Sequence, residues 1–367
     1  MTDSLLHIIA LTMKKGIGPI LTRHLIAYCG NAKSVFEKSE SELASIPNIG
    51  SHVAALLRDN KVEFKKAEKE IEETQKKGIK ICSYLDEDYP YRLKNIDDAP
   101  AVLYHKGNIE MNFRRTIGIV GTRAPSDLGK AMTDKIVEGL KPYGVQVISG
   151  MAYGIDTQAH RASVIHEVPT IGILGHGLDM IYPSANRELA LKMNNQGGLI
   201  SEFPIGTTPE REHFPMRNRI IAAMSDAVIV VESKKKGGSM ITAKLAMDYH
   251  KDVFAVPGRI GDDKSAGCNH LIKTHQAALI ESASDIGYVM QWDKMENLQS
   301  HQSVLFYDLE GDEKKIVETL RKHTDLTLDK LHHLCAIPLS QLSGKLLNLE
   351  FQGIIICLPG KRYKVVK

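Results

Sequence analysis

Six short runs of apolar, mostly β-branched residues punctuate the middle of this chain, at 117–120, 145–149, 170–174, 199–201, 227–231 and 253–256. Amphipathic helical stretches and glycine-bearing turns lie between them. Strand and helix alternating in this way are the signature of a parallel sheet covered on both faces, since strands buried on both sides read as continuous apolar runs. The chain is therefore expected to be an α/β protein with an extended, doubly wound parallel sheet over residues 80–290.

At 367 residues the chain exceeds one typical core, and two or three domains are expected. Residues 1–77 read as a helical domain, because LLHIIALTM, PILTRHLIAYC and SELASIPNIGSHVAALL place apolar residues at three- and four-residue intervals. Two glycine turns, Gly16-Ile17-Gly18 and Ile46-Pro47-Asn48-Ile49-Gly50, each precede a helix. A helix-hairpin-helix, whose exposed backbone N–H groups bind phosphate, has that layout; so does a plain bundle with tight turns, and both readings stand. KVEFKKAEKEIEETQKK, residues 61–77, alternates Lys and Glu at helical spacing and reads as a solvated connecting helix. Residues 290–303 are polar and aperiodic, as a linker would be. Over 304–367, three helical segments followed by a turn between two strands have the order of a winged helix. The recognition-helix position, LSQLSGKLLNLE, carries one basic residue, Lys345, so a protein-contact or structural role stands beside groove binding. Lys361, Arg362, Lys364 and Lys367 on the wing are still able to touch a phosphate backbone.

Hydrophobic residues at 43% and charged residues at 25% are ordinary for a soluble globular protein. A net charge of +3 does not by itself demand a polyanionic partner, and 6% aromatics argue against a surface paved with stacking rings. Cys29, Cys82, Cys268, Cys335 and Cys357 stand singly with no CxxC pair, which fits free thiols in a reducing cytosol rather than a disulfide framework or a zinc site. MTDSLLHIIALTMKK has no basic segment ahead of its apolar stretch and does not read as a signal peptide. No apolar run approaches membrane-spanning length, so a cytoplasmic protein without membrane, metal or cofactor is expected.

Ligands of a doubly wound sheet gather at the carboxyl ends of its strands. The first such loop, Gly121-Thr122-Arg123-Ala124-Pro125-Ser126, joins close backbone approach at glycine to the five donors of Arg123. It lacks GxGxxG, and Ala131 stands where a P-loop requires Ser or Thr. In the second loop, Gly150 follows Ser149, and Asp156 lies one helical turn before His160. An acid–base pair is one reading; with no nucleophile or metal-ligand set beside them, the favoured one makes Asp156 an N-cap and His160 a packed residue. Gly175-His176-Gly177 again permits close approach, and Tyr182-Pro183 reads as a packed turn. Farther on, Phe214 is interleaved with Arg211, Arg217 and Arg219, the combination that stacks a base while neutralising its backbone. The alternative buries Phe214 and commits one arginine to a carboxylate such as Glu202. Lys234-Lys235-Lys236-Gly237-Gly238-Ser239 leads into a helix start able to hold an anion, or is a solvated loop.

Together these loops closely resemble the DNA-processing protein A (DprA, or Smf) family. The resemblance is carried by IGIVGTRAPSDLG, VISGMAYGIDTQAH, TIGILGHGLDMIYPSANREL, GLISEFPIG, HFPMRNRIIAAMSDAVIVVES, GGSMITAKLA and VFAVPGRIGDDKSAGCNHLI, in that order. It implies a Rossmann-like domain that binds and protects single-stranded DNA, helps load the RecA recombinase during natural transformation, and self-associates as a homodimer. Residue by residue, it points to Gly121, Thr122 and Arg123 as a phosphate grip, to Arg217, Asn218 and Arg219, and by residue type to Arg211 and Phe214. Gly150 and Ser239 join them from the adjoining loops. GGSM stands where many members have SGSL, and Ser184 stands where members can carry a basic residue, with Arg187 nearby.

Two other functions compete with a non-catalytic DNA binder. A nucleotide hydrolase of the lysine-decarboxylase-like group has a related fold, but its PGGxGTxxE loop carries a catalytic glutamate. Here Thr242 is followed by Ala243-Lys244, and that acid is missing. In the other, the terminal domains grip duplex DNA and the central domain is an oligomerisation core.

Overall fold

The structure is a computed structural model that describes residues 2–58, 60–295, 311–321, 323, 325–351, 354–358 and 361–365. The chain divides into two compact units, Met1–Trp292 and Asp293–Lys367.

The first unit begins with α1 (Thr2–Thr12), α2 (Pro19–Cys29), α3 (Ala32–Glu37), α4 (Glu40–Ala44), α5 (Ser51–Leu56) and α6 (Lys61–Lys76). Both glycine turns do introduce helices: Gly18 caps α2, with Pro19 in its first turn, and Gly50 caps α5. Ile17, Ile46 and Ile49 of these turns are buried in the helical core. The α6 helix departs from the solvated helix expected of its Lys/Glu pattern. Ala67, Glu70 and Thr74 form a buried stripe on it, and it packs on α1. The stripe is hard to see in the sequence because small and polar residues, not large apolar ones, compose it. Glu70 Oε1 accepts the N–H of Ile205 at 2.8 Å, tying α6 to the sheet region. Ile8, Leu25 and Ala67 share one apolar cluster with Val102, Tyr104 and Leu199. The change of character near residue 80 is thus a change of secondary structure inside one compact unit.

The sheet region follows as β1 (Lys80–Ser83), α7 (Tyr91–Lys94), β2 (Val102–Gly107), β3 (Thr116–Val120), α8 (Asp127–Leu140), β4 (Gln146–Ser149), α9 (Ile155–Ile165), β5 (Thr170–Leu174), α10 (Arg187–Met193), β6 (Gly197–Ser201), α11 (His213–Met224), β7 (Ala227–Val230), α12 (Gly238–Asp248), β8 (Asp252–Ala255), α13 (Ala266–Lys273), β9 (Ala278–Leu279) and α14 (Ala283–Val289). Among the described residues these strands form one nine-stranded sheet, ordered β1-β2-β6-β5-β4-β3-β7-β8-β9. It is parallel from β6 through β9, with β2 antiparallel to β6 and β1 antiparallel to β2. All six expected strands are present. The strands the sequence did not announce, β1, β2 and β9, lie at or next to the edges and are partly or wholly exposed.

Strands β3 to β7 are buried at every position, as a sheet covered on both faces requires. Ile117 and Ile119 face α8, α9 and α14, while Val120 faces α11, α12 and α13. After β3 the chain adds β4, β5 and β6 on one side, then returns to place β7 on the other. The helices following β3 and β7 leave to opposite faces, and their parting opens a crevice at the strands' carboxyl ends. Met290 and Trp292, expected in a linker, pack on the α14 side of the core, and Arg115 stands 5.4 Å from the centroid of the Trp292 ring. Residues 296–310, which hold the rest of that linker and the expected start of the last domain, lie outside the described residues.

The second unit contains α15 (Gly311–Arg321), β10 (Leu326–Thr327), α16 (Leu328–Cys335), α17 (Leu339–Phe351), β11 (Ile355–Leu358) and β12 (Arg362–Val365), with sheet order β10-β12-β11. Ile316, Leu331, Leu342 and Leu346 form its own core, and the arrangement is a winged helix. Lys345 pairs with Asp312 at 3.5 Å and Arg362 with Asp325 at 2.6 Å. Lys367 lies outside the described residues. No described helix is long and apolar enough to cross a membrane.

Candidate functional site

The crevice at the switch point widens into a cleft of about 580 Å³, walled by the β3 loop, the start of α11 and the turn entering α12. Its first wall is clamped on two sides. Thr122 N donates to Glu232 O (2.7 Å), and Thr122 O accepts from Ile155 N (3.1 Å). Gly121 lies against Ile155, where a Cβ would come 2.5 Å from the isoleucine Cγ1, so no other residue fits that approach without a shift. Ser126 caps α8 and donates to the Glu232 carboxylate, which also accepts Ser126 N at 2.9 Å. Arg123 projects from this fixed loop into solvent. Among the described residues no carboxylate pairs with it, and its guanidinium lies 5.4 Å from the Phe214 ring centroid, a cation–π contact.

The second wall shows why the Arg-Asn-Arg segment does not act as one patch. It lies within α11, where residues two apart point to opposite sides. Phe214, Arg217, Asn218 and Ile221 line the cleft. Arg219 turns away, forming a buried pair with Glu202 and lying 3.5 Å from Asp98. It lies in an internal ion pair and not on the cleft lining, with Glu202 as its carboxylate. Phe214 itself is half-buried, and Arg211 is exposed at the cleft mouth.

Arg217 lines the cleft but is only 3% exposed, so most of its guanidinium is held within the fold. Its Nη1 donates to Ile173 O at 2.9 Å. Burial lowers its pKa to about 10, opposed by the nearby Asp156. Burial likewise raises the pKa of Asp156, with Arg217 pulling it back. Gly150 makes room for this pair: a Cβ there would come 2.5 Å from Arg217 Cζ and 2.6 Å from Asp156 Oδ2. It lies outside the cleft lining and borders a neighbouring depression instead.

Asp156 is not the expected N-cap. Gly154 caps α9, and the Asp156 carboxylate in the first turn accepts from Ala152 N at 3.3 Å. His160 Nδ1 lies 2.8 Å from Thr170 Oγ1, whose own proton goes to Val147 O. Nδ1 is therefore the donor, and burial pushes the His160 pKa down to about 3, leaving a neutral, packed imidazole.

The third wall carries Lys234 and Lys236, both exposed, with Lys234 at 3.5 Å from Asp263. Gly237 caps the eleven-residue α12 without a side-chain hydrogen bond, so the helix's first N–H groups border the cleft uncapped by any side chain. Ser239 is buried; its Oγ donates to Ser233 Oγ (2.8 Å), which donates to Lys234 O (2.9 Å), so it holds the turn together.

The fold thus gathers Gly121, Thr122, Arg123, Arg211, Phe214, Arg217, Asn218 and Ser239 around one cleft. Arg187, exposed at the start of α10, borders neither that cleft nor the depression beside it. Tyr153 and Tyr182, neither of them among the expected site residues, border that depression. Tyr182, expected in a packed turn, is 48% exposed with its ring 6.2 Å from that of Phe214, and Tyr153 is 52% exposed. Their available signal was position alone, in loops after β5 and β4.

A cleft at the switch point of a parallel sheet, walled by glycine turns and bordered by Arg123, Arg211, Lys234 and Lys236, defines a Rossmann-like protein with cationic side chains gathered at its strands' carboxyl ends. The model of the family described as DNA recombination-mediator protein A matches residues 80–291, and that of the DprA winged helix domain matches 307–361. The chain belongs to the DprA/Smf family. Protein Smf of Synechocystis is 32% identical, with 97% of each chain covered. DNA processing protein DprA of Streptococcus pneumoniae is 43% identical over 56% of this chain and 72% of that protein. The X-ray structure of the pneumococcal DprA has a TM-score of 0.64 at 33% identity, covering 78% of this chain and 98% of that one. A structure of DNA processing protein A from Helicobacter pylori, described for its unique single-stranded DNA binding mode, has a TM-score of 0.54 at 28% identity, covering 59% of this chain and 97% of that one.

Proposed function

We propose that this protein binds single-stranded DNA in the switch-point cleft, as a non-catalytic mediator that protects incoming DNA and helps load the RecA recombinase during natural transformation. It does so as a homodimer in the cytoplasm. One observation carries the reading: Arg123 and Arg211 stand exposed on the same cleft as Phe214, while Arg217 and Arg219 are buried within the fold. Arginines engaged by phosphates rather than carboxylates, beside an aromatic ring, suit a flexible strand whose bases are free to stack. The helix start of α12 adds backbone donors to the same anion-lined wall.

The test is salt-dependent binding of oligo-dT and of a duplex of equal length by the full chain. Each neutralised phosphate contributes about −0.7 to the log–log slope on a single strand. Arg123→Ala should weaken binding and flatten that slope, and Arg211→Glu should weaken it further. Wild-type binding by both variants at moderate salt would refute the site. Release of free base from nucleoside monophosphates would instead point to the hydrolase reading.

A further inference from the structure

Beyond the Arg123–Phe214 pair lies a shallow depression of about 20 Å³ that shares Arg123, Ala152 and Phe214 with the cleft. Tyr153, His176, Tyr182 and Pro183 border it. Its chemistry differs from that of the cleft. On the cleft side Arg211, Lys234 and Lys236 supply positive charge. On this side Arg123 is the one arginine or lysine at the border among the described residues, and burial keeps His176 below its ordinary pKa. What the depression offers instead is ring surface, since Tyr153 and Tyr182 are each about half exposed.

The depression is too small to admit a base. Nor does a base fit between Tyr182 and Phe214: their centroids are 6.2 Å apart, whereas a sandwiched ring needs about 7 Å, twice the carbon–carbon contact distance. A base therefore lies across the exposed faces rather than between them. The loops that carry them are held in place by the fold. Asn186 Nδ2 donates to Met151 O (2.9 Å) and Thr157 Oγ1 (2.8 Å), joining the Tyr182 loop to the Tyr153 loop. Gly154, with φ at 85°, packs on the β3 loop so closely that a Cβ would come 2.7 Å from Arg123 Cα, which sets Tyr153 beside Arg123. Loops fixed before the ligand arrives lose little freedom on binding.

We infer that Tyr153 and Tyr182 form a base-stacking platform that continues the strand's path past Phe214, so that phosphates are gripped on the cleft side and nucleobases on this side. The inference rests on the single-strand reading above and adds the ligand chemistry of one end of the site. A duplex, whose bases are already stacked on one another, gains nothing from this platform.

The experiment uses the full chain, with labelled oligo-dT and a sugar–phosphate oligomer of the same length that lacks bases. Tyr153→Ala and Tyr182→Ala should each weaken oligo-dT binding about tenfold. Binding of the baseless oligomer and the salt slope should not move. Tyr182→Phe, which keeps the ring, should bind as wild type, and Tyr182→Leu replaces the alanine variant if that one unfolds. Wild-type affinity of the double variant for oligo-dT overturns the platform and leaves the single-strand reading intact. Equal losses on both oligomers overturn it too, since the tyrosines would then act only through loop structure. If the unaltered protein fails to bind oligo-dT at all, the parent reading falls with it.

Discussion

Arginines of one sequence segment divide here by helical phase. Arg217 and Arg219 look equivalent in the string Arg-Asn-Arg, and composition alone offers no reason to separate them. Once the segment is helical, Arg219 is carried to Glu202 and Arg217 to Ile173, leaving Arg123 and Arg211 as the exposed guanidinium groups on the cleft. The consequences of deletion should differ accordingly. Removing one member of a buried ion pair strands the other, at a cost of about 3–5 kcal/mol. Arg219→Ala should lower the thermal unfolding temperature of the first unit markedly while leaving the salt slope of the folded protein unchanged. Arg123→Ala should do the reverse, and a calorimetric scan beside a binding titration separates the two. His160 supplies a pH prediction. Its pKa falls from the ordinary 6.5 to about 3 on folding, so between those values the unfolded chain binds more protons than the folded one. Its contribution to stability is complete above about pH 6.5 and is lost as pH falls toward 3. Buried Glu70 and Glu202, whose pKa values are raised, act in the opposite sense, their contribution growing as pH falls through their folded values. The comparison is therefore wild type against His160→Gln: the variant should lose less stability on acidification from pH 6.5, and parallel curves would refute the assignment.

The elements most legible in the sequence are those whose burial is uniform. The central strands announce themselves because every residue of β3 to β7 is covered, whereas β1 and β9 form the edges and offer few apolar residues. The buried stripe of α6 was hidden because Ala67 and Thr74 weigh little beside the surrounding Lys and Glu. Loop chemistry was partly legible: glycines marked where chains approach, but not what they approach. Gly150 reads as a ligand contact, yet the group pressed against it is the Arg217 guanidinium. Gly150→Ala should accordingly act through packing. A methyl forced into that space displaces Arg217 or β4, and overpacking of this kind costs about 1–3 kcal/mol. Lowered stability is expected in denaturant titration. A variant as stable as wild type would show that the guanidinium has room to move.

At the scale of the whole chain, the division that matters is not the one at residue 80. The helices before the sheet share an apolar cluster with Val102, Tyr104 and Leu199, and Glu70 reaches across to Ile205. Cutting there exposes an apolar face and leaves the Ile205 N–H without that partner, while cutting after Trp292 falls between two units that each have a core. A fragment of residues 1–292 should therefore fold cooperatively and keep the full salt slope on oligo-dT, because every residue lining the cleft lies within it. A fragment of residues 80–292 should unfold at lower denaturant concentration and expose apolar surface to a hydrophobic dye. Loss of single-strand binding in the 1–292 fragment, with its fold intact by circular dichroism, would move the interface to the winged helix. Lys345 and Arg362 of that unit are engaged by Asp312 and Asp325 while Lys361 stays exposed on the wing, so the salt slope of the 1–292 fragment decides between the two surfaces.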